Sequence, residues 1–171
     1  MQLVIDYQDI SVKHLVAVLS HEFMHPETLL GSVGSALEMV NTDRHYAGKA
    51  PDGSDWAPLK ESSKLEKRKG GPLNKTGEML QSFNYQVDGN TLMLGFDGAR
   101  NAELAYWHHT GTDPYVIKPK NGKALKFGDH IVKKVNHPGL PARELVGYPD
   151  SDQRLVDDVV NDHLMAVLNR V

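Results

Sequence analysis

The sequence contains no cysteine. That absence excludes a disulfide framework, thiolate zinc sites, iron–sulfur ligation and cysteine nucleophiles together. Long apolar runs are missing too, and none approaches the ~18 residues that span a bilayer. Residues 1–6, Met-Gln-Leu-Val-Ile-Asp, lack the basic n-region and long apolar h-region of a secretory signal. Aromatic residues make up only 7%. No sign of charge dominates: 19 Lys and Arg stand against 22 Asp and Glu, a net charge of −3. The whole molecule is therefore not an electrostatic nucleic-acid binder. A soluble protein made in a reducing cytoplasm is expected.

What remains is ordinary material for a globular fold. The 171 residues are 40% hydrophobic and 24% charged, with a mean hydropathy of −0.43. A chain of this length builds one core of its own, so a single domain over residues 1–171 is expected. The charge is unevenly spread. Residues 60–75 hold six basic side chains, among them Lys64, Lys67 and Arg68, against two acidic ones. Residues 144–171 hold six acidic side chains, among them Asp157 and Asp158, against two basic ones. Two readings stand: two solvated faces, or self-complementarity in which a basic loop on one copy meets an acidic helix on the next.

Periodicity gives the order of elements. Residues 3–5, Leu-Val-Ile, favour a strand. A helix starts near Ser11 with apolar residues at Val12, Leu15, Val16, Leu19 and Phe23, and Pro26 ends it. A second helix covers 27–40, weakened by Gly31 and Gly34. From 47 to 71 the period vanishes, with a turn at Pro51-Asp52-Gly53 and a basic loop at 64–71. A short helix at 76–83 precedes a hairpin, 82–87 and 91–96 around Asp88-Gly89-Asn90. A further strand is predicted at 104–108. Asn121-Gly122 is a hairpin signal between 115–117 and 124–127. The last helix follows Pro149, with Asp150 or Ser151 available as caps and seven apolar residues at helical spacing. The order describes an α+β domain: N-terminal helices and a C-terminal helix on a mainly antiparallel sheet, with a long projecting β-hairpin over 110–138.

One motif invites a catalytic reading. His21-Glu22-Phe23-Met24-His25 matches H-E-x-x-H, in which two histidines bind zinc from one helix face and the glutamate activates the metal-bound water. A small zinc metallopeptidase is the alternative it offers. Three features oppose it. His25 directly precedes Pro26, where the helix frays. At 100° per residue, His21 and His25 lie opposite the apolar arc of that helix. No third-ligand motif such as H-x-x-G-x-x-H follows. His108-His109, read as adjacent strand residues, point to opposite faces and cannot easily share a metal. No G-x-S-x-G elbow, Walker A loop or dinucleotide fingerprint occurs. Gly95-x-x-Gly98 is read as lacking the following helix that phosphate binding needs. No cofactor and no catalytic residue is expected. A nucleic-acid-binding module rests on the basic loop alone.

Four separated blocks carry a resemblance. Residues 51–59, Pro-Asp-Gly-Ser-Asp-Trp-Ala-Pro-Leu, resemble the P-x-G-x-x-W-x-P-L segment of the phage virion morphogenesis family. That family includes tail completion proteins of Mu-like and P2-like phages. Residues 73–83 are similar to its next block, a leucine, then Thr/Ser-Gly, then x-Leu-x-Ser-hydrophobe. Residues 105–111 resemble A-x-x-H-x-x-G. Residues 140–148, Leu-Pro-Ala-Arg-Glu-Leu-Val-Gly-Tyr, resemble I-P-A-R-P-F-L-G-L, with Glu144 for the usual proline and Leu145 for the usual phenylalanine. The blocks occur in family order.

The resemblance implies a structural virion protein of the neck or tail completion type. It implies a ring at the head-proximal end of the tail, with a hexamer favoured and a dodecamer on the connector side as the second choice. Its partners would be further copies of itself, tail tube, sheath or terminator proteins, and head-side connector proteins, with DNA passing through the lumen and no membrane involved. Gly53 and Gly111 suit turns, and Trp56 suits an anchor for an irregular loop. The planar fork of Arg143 suits a carboxylate or carbonyl, within the chain or across a subunit boundary. Candidate interface residues are Trp56, Lys64, Lys67, Arg68, His108, Arg143, Asp157 and Asp158.

Overall fold

A computed structural model describes residues 10–59, 72–120, 122–127 and 130–170. Its elements are helices α1 (Ile10–Met24) and α2 (Glu27–Ala47), the one-turn helix α3 (Glu78–Gln81), and strands β1 (Phe83–Asp88) and β2 (Thr91–Phe96). Helix α4 (Ala99–Thr110) follows, then strands β3 (Tyr115–Ile117), β4 (Leu125–Phe127), β5 (His130–Val132) and β6 (Val135–His137), and helix α5 (Asp150–Leu168). This is an α+β fold. Among the described residues the strands form three two-stranded ladders, β1 with β2, β3 with β6 and β4 with β5. The strand expected at 3–5 lies outside the described residues.

Contacts gather the chain into two compact units, one of residues 1–40, 83–95 and 148–171, the other of 41–82 and 96–147. In the first unit, β1 and β2 form the expected hairpin around Gly89 and Asn90, and α2 buries Val33 and Leu37. Gly34 of α2 lies directly beneath the Tyr85 ring and Leu92 of that hairpin. Helix α1 packs against α5. Its apolar arc is not a core face: Leu15 and Leu19 are half-buried, but Val16 and Phe23 are exposed. Helix α5 has Pro149 as its N-cap residue, and neither Asp150 nor Ser151 caps it through a side chain. Asp150 and Asp152 instead supply negative charge in the first turn, where the helix dipole favours it.

The second unit has its core at Ala50, Trp56, Met79, Ala105 and Leu145, with Leu73, Phe96 and Val146 packed around it. Here the structure corrects three expectations. Helix α2 continues to Ala47 rather than ending at 40, because its buried i, i+4 row runs on from Val33 and Leu37 through Asn41 and His45. Two polar residues on the inward face hid that continuation from a hydrophobic pattern. The strand expected at 104–108 is the second half of α4. Ala99, Ala102, Glu103, Leu104 and Ala105 are strong helix formers, and they outweigh the β preference of Tyr106-Trp107, which is realised only on a half-buried pleat. A helix therefore does follow Gly98.

The third correction concerns the 110–138 hairpin. It exists, but the strands at 115–117 and 125–127 do not pair with each other. Strand β3 pairs with β6, placing Tyr115 opposite His137. Inside that stem β4 pairs with β5, with Phe127 opposite His130. The base is fastened by a further bridge, in which Thr112 and Leu140 exchange both main-chain hydrogen bonds at 3.0 and 3.2 Å.

Candidate functional site

The four sequence blocks converge in the second unit. The indole N–H of Trp56 donates to the Glu144 carbonyl oxygen at 2.9 Å. Arg143 reaches the same loop from the other side: its Nε–H donates to the Ala57 carbonyl oxygen at 3.0 Å and its Nη2–H to that of Pro58 at 3.4 Å. The main-chain N–H of Arg143 donates to the His108 carbonyl oxygen at 2.8 Å. That of Leu145 donates to Nδ1 of the His109 ring at 3.1 Å. Met79 and Leu73 of the second block close the core against Trp56 and Leu145. An irregular segment is thus held at almost every residue, which satisfies main-chain groups that have no ladder of their own.

Close approach explains two glycines in this frame. Gly111 ends α4 at φ 73°, where a Cβ would meet the Ala142 nitrogen and the Leu140 oxygen at 2.8 Å each. Gly147 passes over the Pro51 ring, whose Cγ would lie 2.8 Å from a Cβ there. The first block folds on itself as its turn residues demand. Gly53 N–H donates to the Ala50 oxygen, and the Asp52 carboxylate accepts from both the Ser54 hydroxyl and the Ser54 amide. Those bonds, the hydroxyl first, hold the Asp52 carboxyl below its usual range.

Beside the frame lies a cleft of about 520 Å³. Leu59, Leu73, Met79, Leu104 and Leu140 give it an apolar lining, and Lys75, Glu78, Arg100 and Arg143 bring charge to it, with His108 and His137. Among the described residues three cations thus meet one carboxylate. Arg143 is 5% exposed, and burial pulls its guanidinium below the ordinary value without approaching neutrality. Leu73, at the cleft, holds φ at 65°, a left-handed conformation that leucine rarely adopts.

The sequence-derived candidates fall in three places. Trp56, Arg143 and His108 come together in the second unit. The first two side chains are buried there, and His108 reaches the cleft. Arg143 fills the intrachain role considered for it, clamping carbonyls. Asp157 and Asp158 are exposed on α5 in the first unit. Lys64, Lys67 and Arg68 lie outside the described residues. Arg100 was not singled out by sequence, and His109 was weighed only with His108 as a metal pair, not as the acceptor for the Leu145 amide. Reading 104–108 as a strand removed both from the helix that positions them, although the Ala-rich start of that segment carried the signal.

The H-E-x-x-H residues are arranged differently from a zinc site. His21 and His25 are exposed, with ring centroids 4.7 Å apart. The Glu22 carboxylate is turned toward α5 and meets Nε2 of His163 at 3.1 Å. Among the described residues no three His, Asp or Glu side chains are grouped to hold a metal ion. His108 and His109 are adjacent helix residues, not strand residues on opposite faces. No helix among the described residues is long and apolar enough to cross a membrane.

No curated protein and no solved structure matches the chain. The profile of the phage virion morphogenesis family matches residues 8–165 of the 171, a span that takes in all four blocks and most of α5. The chain belongs to that family, and its role lies in the assembly of a phage virion.

Proposed function

We propose that this virion protein is a neck or tail completion component whose work is binding, with no chemical step. Copies close into a ring at the head-proximal end of the tail, and the ring joins the tail to a DNA-filled head. A hexamer is the first subunit number, matching a six-fold tail tube, with a dodecamer on the connector side second. The ring faces tube or terminator proteins on one side and connector proteins on the other, and DNA passes through its lumen.

One observation carries this reading. The frame built on Trp56 and Arg143 fixes the base of the 112–140 hairpin, while Tyr115, Val116 and Ile131 stand exposed along it. A rigid base under an extension with bare aromatic and β-branched side chains suits a part that completes its burial on a neighbour. Trp56 and Arg143 then serve assembly indirectly, by holding the base. His108, Asp157, Asp158 and the basic 60–75 loop are left as contact residues.

The test is negative-stain electron microscopy of particles from a phage with an early stop codon in this gene. Filled heads beside separate tails of normal length are expected. Overlong tails would move the protein to length termination, and intact infectious virions would overturn the reading.

A further inference from the structure

The cleft of the second unit and the outer face of α5 have opposite chemistry. Residues of α5 advance 100° per position, so Asp150, Asp157, Asp158 and Met165 fall on one arc, opposite the buried Asp152 and Val167. All four on the outer arc are exposed, Met165 at 57%. Asp162 extends the acidic arc, and Arg154, the one Lys or Arg in the helix, stands exposed on the same arc among Asp150, Asp157 and Asp158. Among the described residues no cation lies within ion-pair distance of these carboxylates. The face sets four carboxylates against that one guanidinium, with the apolar Met165 side chain at its C-terminal end.

The cleft is the reverse: among the described residues it has an apolar floor beside Lys75, Arg100 and Arg143, against the single carboxylate of Glu78. Arg100 is exposed and has no carboxylate partner among the described residues. Arg143 spends its fork on two carbonyl oxygens, which orient its charge without neutralising it. A groove with an apolar floor and a cationic side suits a helix face whose run of carboxylates ends in an apolar side chain. The sequence supplies such a helix within the same chain.

We infer that the cleft of one copy receives the acidic outer face of α5 from the next copy, with Met165 over the apolar floor and Asp157 and Asp158 toward Arg100 and Lys75. The two surfaces differ, so the contact is head-to-tail, the kind that closes rings. The inference rests on the ring reading and adds to it the surfaces that meet. It also moves the basic half of the contact to side chains on α4 and before α3.

Charge reversal and restoration test it on the full-length protein. Arg100→Glu, and Asp157→Lys with Asp158→Lys, should each weaken self-association in sedimentation velocity by about tenfold or more. Combining the reversals should recover most of the loss, which damage to either fold would not allow. Because the chain has no cysteine, Arg100→Cys with Asp158→Cys gives a clean trap. Particles from the stop-codon phage complemented with that double variant should yield a ladder of disulfide-linked oligomers on a non-reducing gel, and each single variant should not. Incorporation into particles with no ladder, and reversals that leave association unchanged, would overturn the cleft contact while the ring reading stands. A disulfide confined to the monomer would also overturn it, since α5 would then occupy its own cleft. Lost DNA binding with self-association intact would overturn it in favour of a nucleic-acid surface. Normal head–tail joining without the protein would remove the ring reading itself.

Discussion

The indole N–H of Trp56 bonds the main-chain oxygen of Glu144, 88 positions further along the chain, at 2.9 Å. Both ends belong to stretches without regular structure, and the bond ties one to the other across the core of the second unit. Trp56→Phe keeps a ring in the core but leaves that carbonyl unpaired. It should lower stability by about 1–3 kcal/mol, read as a shift of the urea midpoint. Trp56→Ala adds the cavity and should cost about 3–5 kcal/mol. A Trp56→Phe variant as stable as the wild type beside a destabilised Trp56→Ala would show that the ring's volume, not the bond, holds the loop.

Arg143 acts on the same loop, and its geometry separates a forked clamp from a point charge. Lysine has all its donors on one nitrogen and no planar fork, so it cannot reproduce the separate Nε and Nη2 bonds to the Ala57 and Pro58 oxygens. Arg143→Lys should therefore destabilise the second unit by about 1.5–3 kcal/mol. Hydrogen exchange should speed up at the Arg143 and Leu145 amides, which bond His108 and His109. An unchanged exchange pattern would mean that the segment is held by its apolar residues alone.

Much of this frame was legible from local chemistry, because its parts are turn and anchor residues, although Arg143 was left between a tether within the chain and a contact across a subunit boundary. Gly53, Trp56, Gly111 and Arg143 all take the roles their side chains suggest. The hairpin of β1 and β2 and the helix α5 were legible because their periods are uninterrupted. What escaped has two physical causes. Asn41 and His45 are buried polar residues, so an apolar pattern ends where the helix does not. Helix α4 buries little beyond Ala105, so it has no apolar stripe to read, and its aromatic pair suggested a strand. The cleft was invisible for the same reason: Arg100 and Leu104 reach it from α4, and Leu140 and Arg143 from a segment 36 or more positions later. The pairing within the long hairpin was missed because β3 pairs with β6, and no local signal states a partner that far away.

Gly31 and Gly34 look alike in sequence, as two residues that weaken α2. Their surroundings give opposite predictions. Nothing lies within 4 Å of a Cβ at Gly31, so Gly31→Ala gains helix propensity and should stabilise by about 0.5–1 kcal/mol. A Cβ at Gly34 would overlap the Tyr85 ring and come within 2.9 Å of Leu92. Overpacking of that kind costs about 1–3 kcal/mol, more than the propensity gain. Thermal denaturation of the two variants should move in opposite directions. Parallel shifts would mean that the hairpin does not press on the helix at Gly34.

His45 makes the second unit sensitive to acid. Its ring is 5% exposed and meets the edge of Trp56, with centroids 5.1 Å apart. Among the described residues Nε2 has no hydrogen-bond partner. Burial lowers its pKa from the ordinary 6.5, so the folded chain holds the imidazole neutral. Below 6.5 the unfolded chain takes up a proton that the folded chain resists. Stability contributed by the neutral ring is therefore intact above 6.5 and is lost as pH falls through the lowered folded value. Between pH 7 and pH 5 the urea midpoint of the wild type should fall more steeply than that of His45→Gln, which keeps a polar side chain without a titration. Trp56 emission reports the transition locally if Trp107→Phe is the background. Parallel slopes in the two proteins would assign the acid sensitivity to other groups.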